Sequence, residues 1–204
     1  MLRFDHLAVS AATLAEGVDH VESVLGVPLG GGGKHSHMAT HNRLLGLGDL
    51  YLEVIANDPD VARPEWPRWF DLDNFSGGPR LTNWVAGCDD LAGECAISPP
   101  GIGLPVALAR GAYRWQMAVP QDGRLPFDGA FPALIRWEGP AHPARALPDS
   151  GLRLTLFEIA HPEADVLRAL LAPRLDDPRM VLVPGATKAL RATFDTPGGP
   201  RVLE

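Results

Sequence analysis

"NRLLGLGDLYLEVIA" (Asn42 to Ala56) holds two apolar runs separated by the turn signal Gly48–Asp49, the pattern of two strands and a tight connection. In the second run Leu50, Leu52 and Val54 form one face, and Tyr51, Glu53 and Ile55 form the other, because successive strand residues point to opposite sides. The aliphatic face suits a covering helix. The face that carries Glu53 must be buried against a second sheet or closed into a curved cavity.

The helix lies upstream. "RFDHLAV" (Arg3 to Val9) alternates as a strand, with Phe4, His6 and Ala8 on one side and Asp5, Leu7 and Val9 on the other. Thr13 and Glu16 then form a capping-box pair. Leu14, Val18, Val21 and Leu25 make one helical stripe, which Gly26 and Pro28 end. Leu7 and Val9 suit the helix side, so His6 is expected on the same face as Glu53. An imidazole and a carboxylate sharing a face make half of a metal site, an acid–base pair, or a histidine simply satisfied by a buried acid. Spacing alone leaves the three open.

The order strand, helix, strands recurs. "LTNWVAGC" (Leu81 to Cys88), a short helix in "DDLAGECAI", and strands at "LPVALAR", "YRWQMAV" and "ALIRWEG" form a second unit over 81–140. "LRLTLFEIA" (Leu152 to Ala160), a helix after His161–Pro162, and "MVLVPG", "LRATFDT" and "RVL" form a third, over 151–204. The first unit is 1–58, and the proline-rich segment 59–80 with Trp66 and Trp69 reads as a linker or a lid. The expected fold is α+β: β-α-β-β-β modules forming a curved mixed sheet around a cleft, helices outside, in one domain over 1–204. In "ALIRWEG" Leu134, Arg136 and Glu138 share one face; Arg136 or Glu138 is expected to match Glu53. In "LTNWVAG" either Asn83 or Trp84 matches the first unit's Asp5 or His6, with Asn83 the better match to His6. An arginine in place of a second carboxylate would favour an anionic substrate over a metal.

"GGGGKHSHMATHN" (Gly30 to Asn42) is no phosphate loop. Lys34 is followed by His35 and then by a strand, where that motif needs Ser or Thr and a helix, so no nucleotide cofactor is expected. His35, His37 and His41 would share a face on an unbroken strand and hold zinc, but the glycines imply a bend. A loop at a cleft mouth with one histidine reaching in, or an ordinary connection, are the other readings.

The net charge of −7, without a basic run, argues against nucleic acid and anionic membranes as partners. No apolar run approaches a membrane span of about 18 residues. The start "MLRFDHLAVS" does not read as a signal peptide, and Cys88 and Cys95 read as two ordinary thiols. A cytoplasmic protein is expected.

Three stretches carry a resemblance: "FDHLAVSAATLAEG" (4–17), "GGGGKHSHMATHNRLLGLGDLYLEVIANDP" (30–59) and "ALIRWEGPAHPA" (133–144). The chain resembles the glyoxalase-like domain family of the vicinal-oxygen-chelate superfamily. What the resemblance implies is a pair of modules around a cleft, with a divalent ion (Zn, Ni, Mn or Fe) held by His6 and Glu53 of the first module. In the second, Asn83 stands where a histidine is expected and Glu138 is the available carboxylate. It further implies a metal-dependent lyase, isomerase or dioxygenase acting on a small oxygen-rich substrate, with Glu53 or Glu138 moving a proton. His35 would face the substrate or act as acid or base, with Arg136, Asn83, Trp84 and Asn42 as binding residues. The alternative is a metal-free small-molecule-binding protein of the same fold that uses Arg136, Trp84 and Trp66 or Trp69. A third reading is a dimerisation scaffold, and a homodimer fits any of the three.

Overall fold

A computed structural model describes residues 1–204. Strand β1 (Arg3–Ser10), helix α1 (Leu14–Leu25) and strands β2 (Gly30–His35), β3 (Thr40–Gly46) and β4 (Tyr51–Asn57) form the first module. Strand β5 (Arg80–Gly87), helix α2 (Leu91–Ala96) and strands β6 (Leu104–Arg110), β7 (Tyr113–Val119) and β8 (Ala133–Glu138) form the second. Thr13 caps α1 as its sequence pattern predicts, its hydroxyl oxygen accepting from the Glu16 N–H. The eight strands make one sheet in the order β2-β3-β4-β1-β5-β8-β7-β6. The two halves meet at the antiparallel pair β1–β5, and in each the strand after the helix lies at the outer edge. The sheet curls until edge strands β2 and β6 touch. Residues from seven of its strands line a single cleft.

A β-bulge on β1 changes the simple alternation. Phe4 pairs with Ala86 and His6 with Val85, which leaves Asp5 as the extra residue. Phe4 therefore turns away from the cleft, against the expectation that it shares a face with His6. It meets Trp84 edge-on at 5.5 Å and lies 5.4 Å from Phe157. Asp5, expected to point away from His6, is buried beside it.

The glycine run is also unlike the expected bend. Gly30–His35 is strand β2, paired with β3 through its own irregularity between Gly30 and Gly33. The histidines that follow diverge. His35 faces the cleft, His37 stacks on Trp66 at 4.6 Å, and His41 sits on β3 opposite Ala56. The three-histidine zinc arrangement does not form.

The chain then builds β9 (Arg153–His161), α3 (Ala164–Leu171), β10 (Met180–Pro184), β11 (Ala189–Asp195) and β12 (Arg201–Leu203). This is not a third copy of the module. Its sheet order is β10-β9-β11-β12, so the strand after the helix pairs directly, in parallel, with the strand before it. The small sheet packs behind the large one. Phe157 of β9 contacts Phe4 and Trp84, and residues of both sheets belong to one apolar core. Trp84 is completely buried there, its indole N–H donating to the Ala130 carbonyl at 2.9 Å. It opposes Leu7 and shares that residue's helix-side face, so it cannot touch a ligand in the cleft as expected. No helix is long and apolar enough to cross a membrane.

Because the two sheets share one core, Phe157→Ala should cost about 3–5 kcal/mol. It should shift a single urea transition followed by both tryptophan fluorescence and circular dichroism. Two separate transitions in the wild type would contradict a shared core.

Candidate active site

The cleft is walled by Tyr51, Trp69, Phe70, Trp115 and Trp137, and its polar groups are His6, His35, Asn42, Glu53 and Arg110. Only about 30 Å³ of it is wide enough for the centre of a water molecule, little more than one or two waters need. The 69–71 turn, within the segment read as a linker or lid, presses Trp69 and Phe70 into its mouth. Phe70 and Asp71 adopt left-handed backbone angles, φ 58° and 52°, unfavourable for non-glycine residues. The Trp69 indole N–H is buried without a partner.

Asn42 organises the floor. Its side-chain NH2 donates to Glu53 Oε1 at 2.6 Å. Its oxygen accepts from the Gly33 backbone N–H and from Arg110 Nη1, each at 2.9 Å. The same Arg110 nitrogen donates to His35 Nε2 at 3.1 Å, which leaves His35 Nδ1 as the N–H that donates to Thr40 Oγ1 at 3.2 Å. Gly33 explains part of the glycine run: a Cβ there would lie 3.0 Å from Arg110 Cδ. The bare backbone lets the arginine cross from β6 to β3. Arg110 makes no ion pair with any carboxylate, and its remaining N–H groups are free for a ligand.

Behind the floor runs a chain of charges. His6 Nδ1–H donates to Asp5 Oδ1 at 2.6 Å, and His6 Nε2 lies 3.6 Å from Glu53 Oε2. Asp5 Oδ2 accepts from the Trp137 indole at 2.9 Å and from His142 Nε2 at 3.1 Å. Tyr51 stacks on the His6 ring at 4.3 Å.

Burial opposes charge on His6, but Asp5 and Glu53 outweigh it and raise its pKa to about 9. Burial likewise opposes charge on Glu53, and His6 with Asn42 outweighs it, lowering the carboxyl to about 2. Asp5 is held below the usual carboxylate range against its own desolvation by His142 and His6. For His35 burial wins: it lowers the pKa to about 4, with Glu53 opposing it and Arg110 and His6 adding to it. Near neutral pH the cleft thus holds an imidazolium, two carboxylates, a neutral imidazole and a guanidinium.

The structure brings His6, His35, Asn42 and Glu53 together, and leaves other expected site residues elsewhere. Val85 of β5 lies opposite both His6 and Ala133. The odd-numbered residues Ile135 and Trp137 of β8 therefore face the cleft, and Arg136 and Glu138 point to the other side. Arg136 donates to the Asp89 carbonyl, and Glu138 accepts from Gln116 on the surface. Neither stands where Glu53 has its counterpart. Asn83 lies on the cleft side of β5 but in a separate cavity beyond Phe70.

Sequence reasoning missed Asp5, Arg110 and His142. The bulge hid Asp5, and strand curvature brought in Arg110. The alternation that set Glu53 on its face could have placed Trp137 there too.

These residues do not fit a resident divalent ion. His6 Nε2 and Glu53 could supply two donors, since the Nδ1–H on Asp5 leaves Nε2 facing Glu53, but the nearby His35 Nε2 is already taken by Arg110 and no third ligand completes the set. The second module offers Ile135 and Trp137 in place of donors, and the fixed charge of Arg110 adjoins His35. No three His, Cys, Asp or Glu side chains group with ligand geometry.

Residues 4–175 match the glyoxalase-like domain model, and the chain belongs to that family. Among solved structures it is similar to a hypothetical protein from Staphylococcus aureus, with 13% identity over 92% of this chain and 88% of that one, TM-score 0.65. Methylmalonyl-CoA epimerase from Mycobacterium tuberculosis aligns at 17% identity over 71% of this chain and 91% of that one, TM-score 0.44. No curated protein matches the chain.

The charge chain has a pH signature. A histidine raised from 6.5 to about 9 contributes stability that is full below pH 6.5 and is lost as pH rises through the folded value. His6→Gln should cost about 3 kcal/mol or more at pH 6. The difference from wild type in urea unfolding should shrink between pH 6.5 and 9. A difference that stays constant over that range would contradict a charged His6.

Proposed function

We propose that the cleft binds a small, oxygen-rich anion without a resident metal. Its anionic oxygens would rest on the free N–H groups of Arg110, its body would lie against Trp69, Trp115 and Trp137, and a ligand hydroxyl or N–H would donate to Glu53. The observation that carries this reading is Arg110, a guanidinium that lines the cleft and makes no ion pair with any carboxylate. Around it, Asp5 and Glu53 hold His6 charged against its burial, burial holds His35 neutral, and His6 with Asn42 holds Glu53 ionised against its burial. Such a site is a template of fixed charges. A general acid–base pair would be tuned toward the working pH instead. Fixed charges suit recognition, and they suit electrostatic stabilisation of negative charge that develops on a ligand oxygen.

The unpartnered Trp69 N–H adds a donor that a ligand oxygen would satisfy. The narrow interior implies that the 69–71 turn moves outward to admit a ligand.

Turnover is a second reading, favoured by one observation. Glu53 Oε2 has no hydrogen-bond partner closer than His6 at 3.6 Å, so one lone pair is free to accept a proton from a carbon acid that Arg110 polarises.

Titrating the full chain with small hydroxy-, oxo- and aromatic carboxylates should quench tryptophan fluorescence saturably. Arg110→Met should weaken binding by roughly tenfold or more, the worth of one charge-assisted hydrogen bond. If no such anion binds, or if Arg110→Met binds as well as wild type, the reading is wrong.

Prolonged EDTA treatment should leave the affinity unchanged, checked by elemental analysis of the same sample. Binding lost with EDTA and restored by a divalent ion would overturn the metal-free part. For the second reading, the bound ligand should exchange a C–H for solvent deuterium, and Glu53→Gln should abolish the exchange. Absence of exchange leaves binding as the function.

A further inference from the structure

Beyond Phe70 lies a second cavity, between the 69–71 turn, the 127–129 turn, the start of β5 and Lys188 of the C-terminal unit. It offers about 260 Å³ to water centres, against about 30 Å³ in the cleft. It has a floor and a rim of different character.

The floor holds Asn83 and Lys188. Asn83 is 5% exposed, yet its amide makes no hydrogen bond within the protein. Asn83 lines the cavity, so its amide is open there to water or a ligand. Gly129, at φ 81°, keeps the space beside it open, since a Cβ there would lie 2.5 Å from Asn83 Nδ2. Lys188 reaches in from the other sheet. Its ammonium donates to the Thr82 carbonyl at 2.6 Å and has no carboxylate within ion-pair distance. Burial lowers its pKa to about 8, with Asp128 raising it and Arg80 lowering it further. The group is still cationic at neutral pH.

At the rim, Arg80 is held by the Ser76 and Gly78 carbonyls and lies 4.4 Å over the Phe75 ring. It too has no carboxylate partner. Arg124 shares its charge with Asp71 at 3.3 Å, and Asp128 is the other acid on the rim. Three cations and two carboxylates leave the cavity positive. The two turns that wall it each hold non-glycine residues in the left-handed region: Phe70 and Asp71, Phe127 and Asp128. Strained backbone of this kind persists where the surroundings enforce it.

We propose that this cavity is a second binding site, specific for a small molecule that presents a phosphate or carboxylate group. The anionic oxygens would accept from the Lys188 ammonium and the Asn83 amide, with Arg80 closing over them. The donor set is what such a group requires: a point charge, a neutral amide N–H and a guanidinium, around a space that admits a multi-oxygen anion. The site spans the two sheets, so occupancy would tie the C-terminal unit to β5. Phe70 lines both this cavity and the cleft.

Inorganic phosphate and malonate serve as the two probes, titrated into the full chain by calorimetry at constant ionic strength. At least one should bind saturably, and which one binds identifies the preferred group. Lys188→Met and Asn83→Asp should each weaken that binding by about tenfold or more, while Arg110→Met in the cleft should leave it unchanged. As a readout that needs no variant to fold, the Asn83 side-chain amide signal in wild-type protein should shift with the probe in nuclear magnetic resonance spectra. The proposal is overturned if neither probe binds saturably or the Asn83 signal stays fixed under saturation. It is equally overturned if Arg110→Met abolishes the binding while the floor variants keep it, since the anion would then sit in the cleft.

Discussion

Two carboxylates and an imidazolium, Asp5, His6 and Glu53, are buried in one line, and much of the local architecture exists to make that tolerable. Taking a charge out of water costs several kcal/mol unless partners surround it. The β1 bulge turns Asp5 toward His6, so the imidazolium has a carboxylate on each ring nitrogen. Trp137 and His142 then supply donors to the far oxygen of Asp5. On the other side, Asn42 donates to Glu53 and is itself fixed by Gly33 and Arg110. Each partner comes from a different strand or loop, so the charge chain and the curl of the sheet are one construction.

The chemistry of the cleft follows from how completely these charges are compensated. A carboxylate with one weak partner in an apolar pocket drifts toward neutral pKa and becomes a proton shuttle. Glu53 has His6 and Asn42 and stays ionised. His35 has a cation beside it and no acid in hydrogen-bond contact, so it stays neutral. The result is a compensated charge pattern under aromatic walls, in which the N–H groups of Arg110 beyond those given to Asn42 and His35 stay free.

The C-terminal unit does not extend the cleft. It covers the back of the large sheet through Phe157 and Phe194, and it sends Lys188 around the end to reach Asn83. A chain that ended at β8 would leave Trp84 and Phe4 exposed to water and the Asn83 cavity without its ammonium. The second sheet therefore contributes both to the core and to a polar pocket.

The local features were legible without coordinates. Alternation in "LYLEVIA" set Leu50, Leu52 and Val54 against the helix and Glu53 toward the cleft, because a strand's period of two is a matter of backbone geometry. Thr13 and Glu16 marked the start of α1 for an equally local reason, the unpaired N–H groups of a helix end. Alternation marked out His6 and Glu53, and the family resemblance added His35 and Asn42. Tertiary structure decided what alternation cannot carry. One bulge residue reversed the side of Phe4 and brought Asp5 to His6. Strand pairing set Ile135 and Trp137 toward the cleft in place of Arg136 and Glu138. The closing curl of the sheet carried Arg110 to residues 68 and 75 positions away. Pairing register and sheet curvature arise from contacts between segments far apart in the chain, and no local pattern records them.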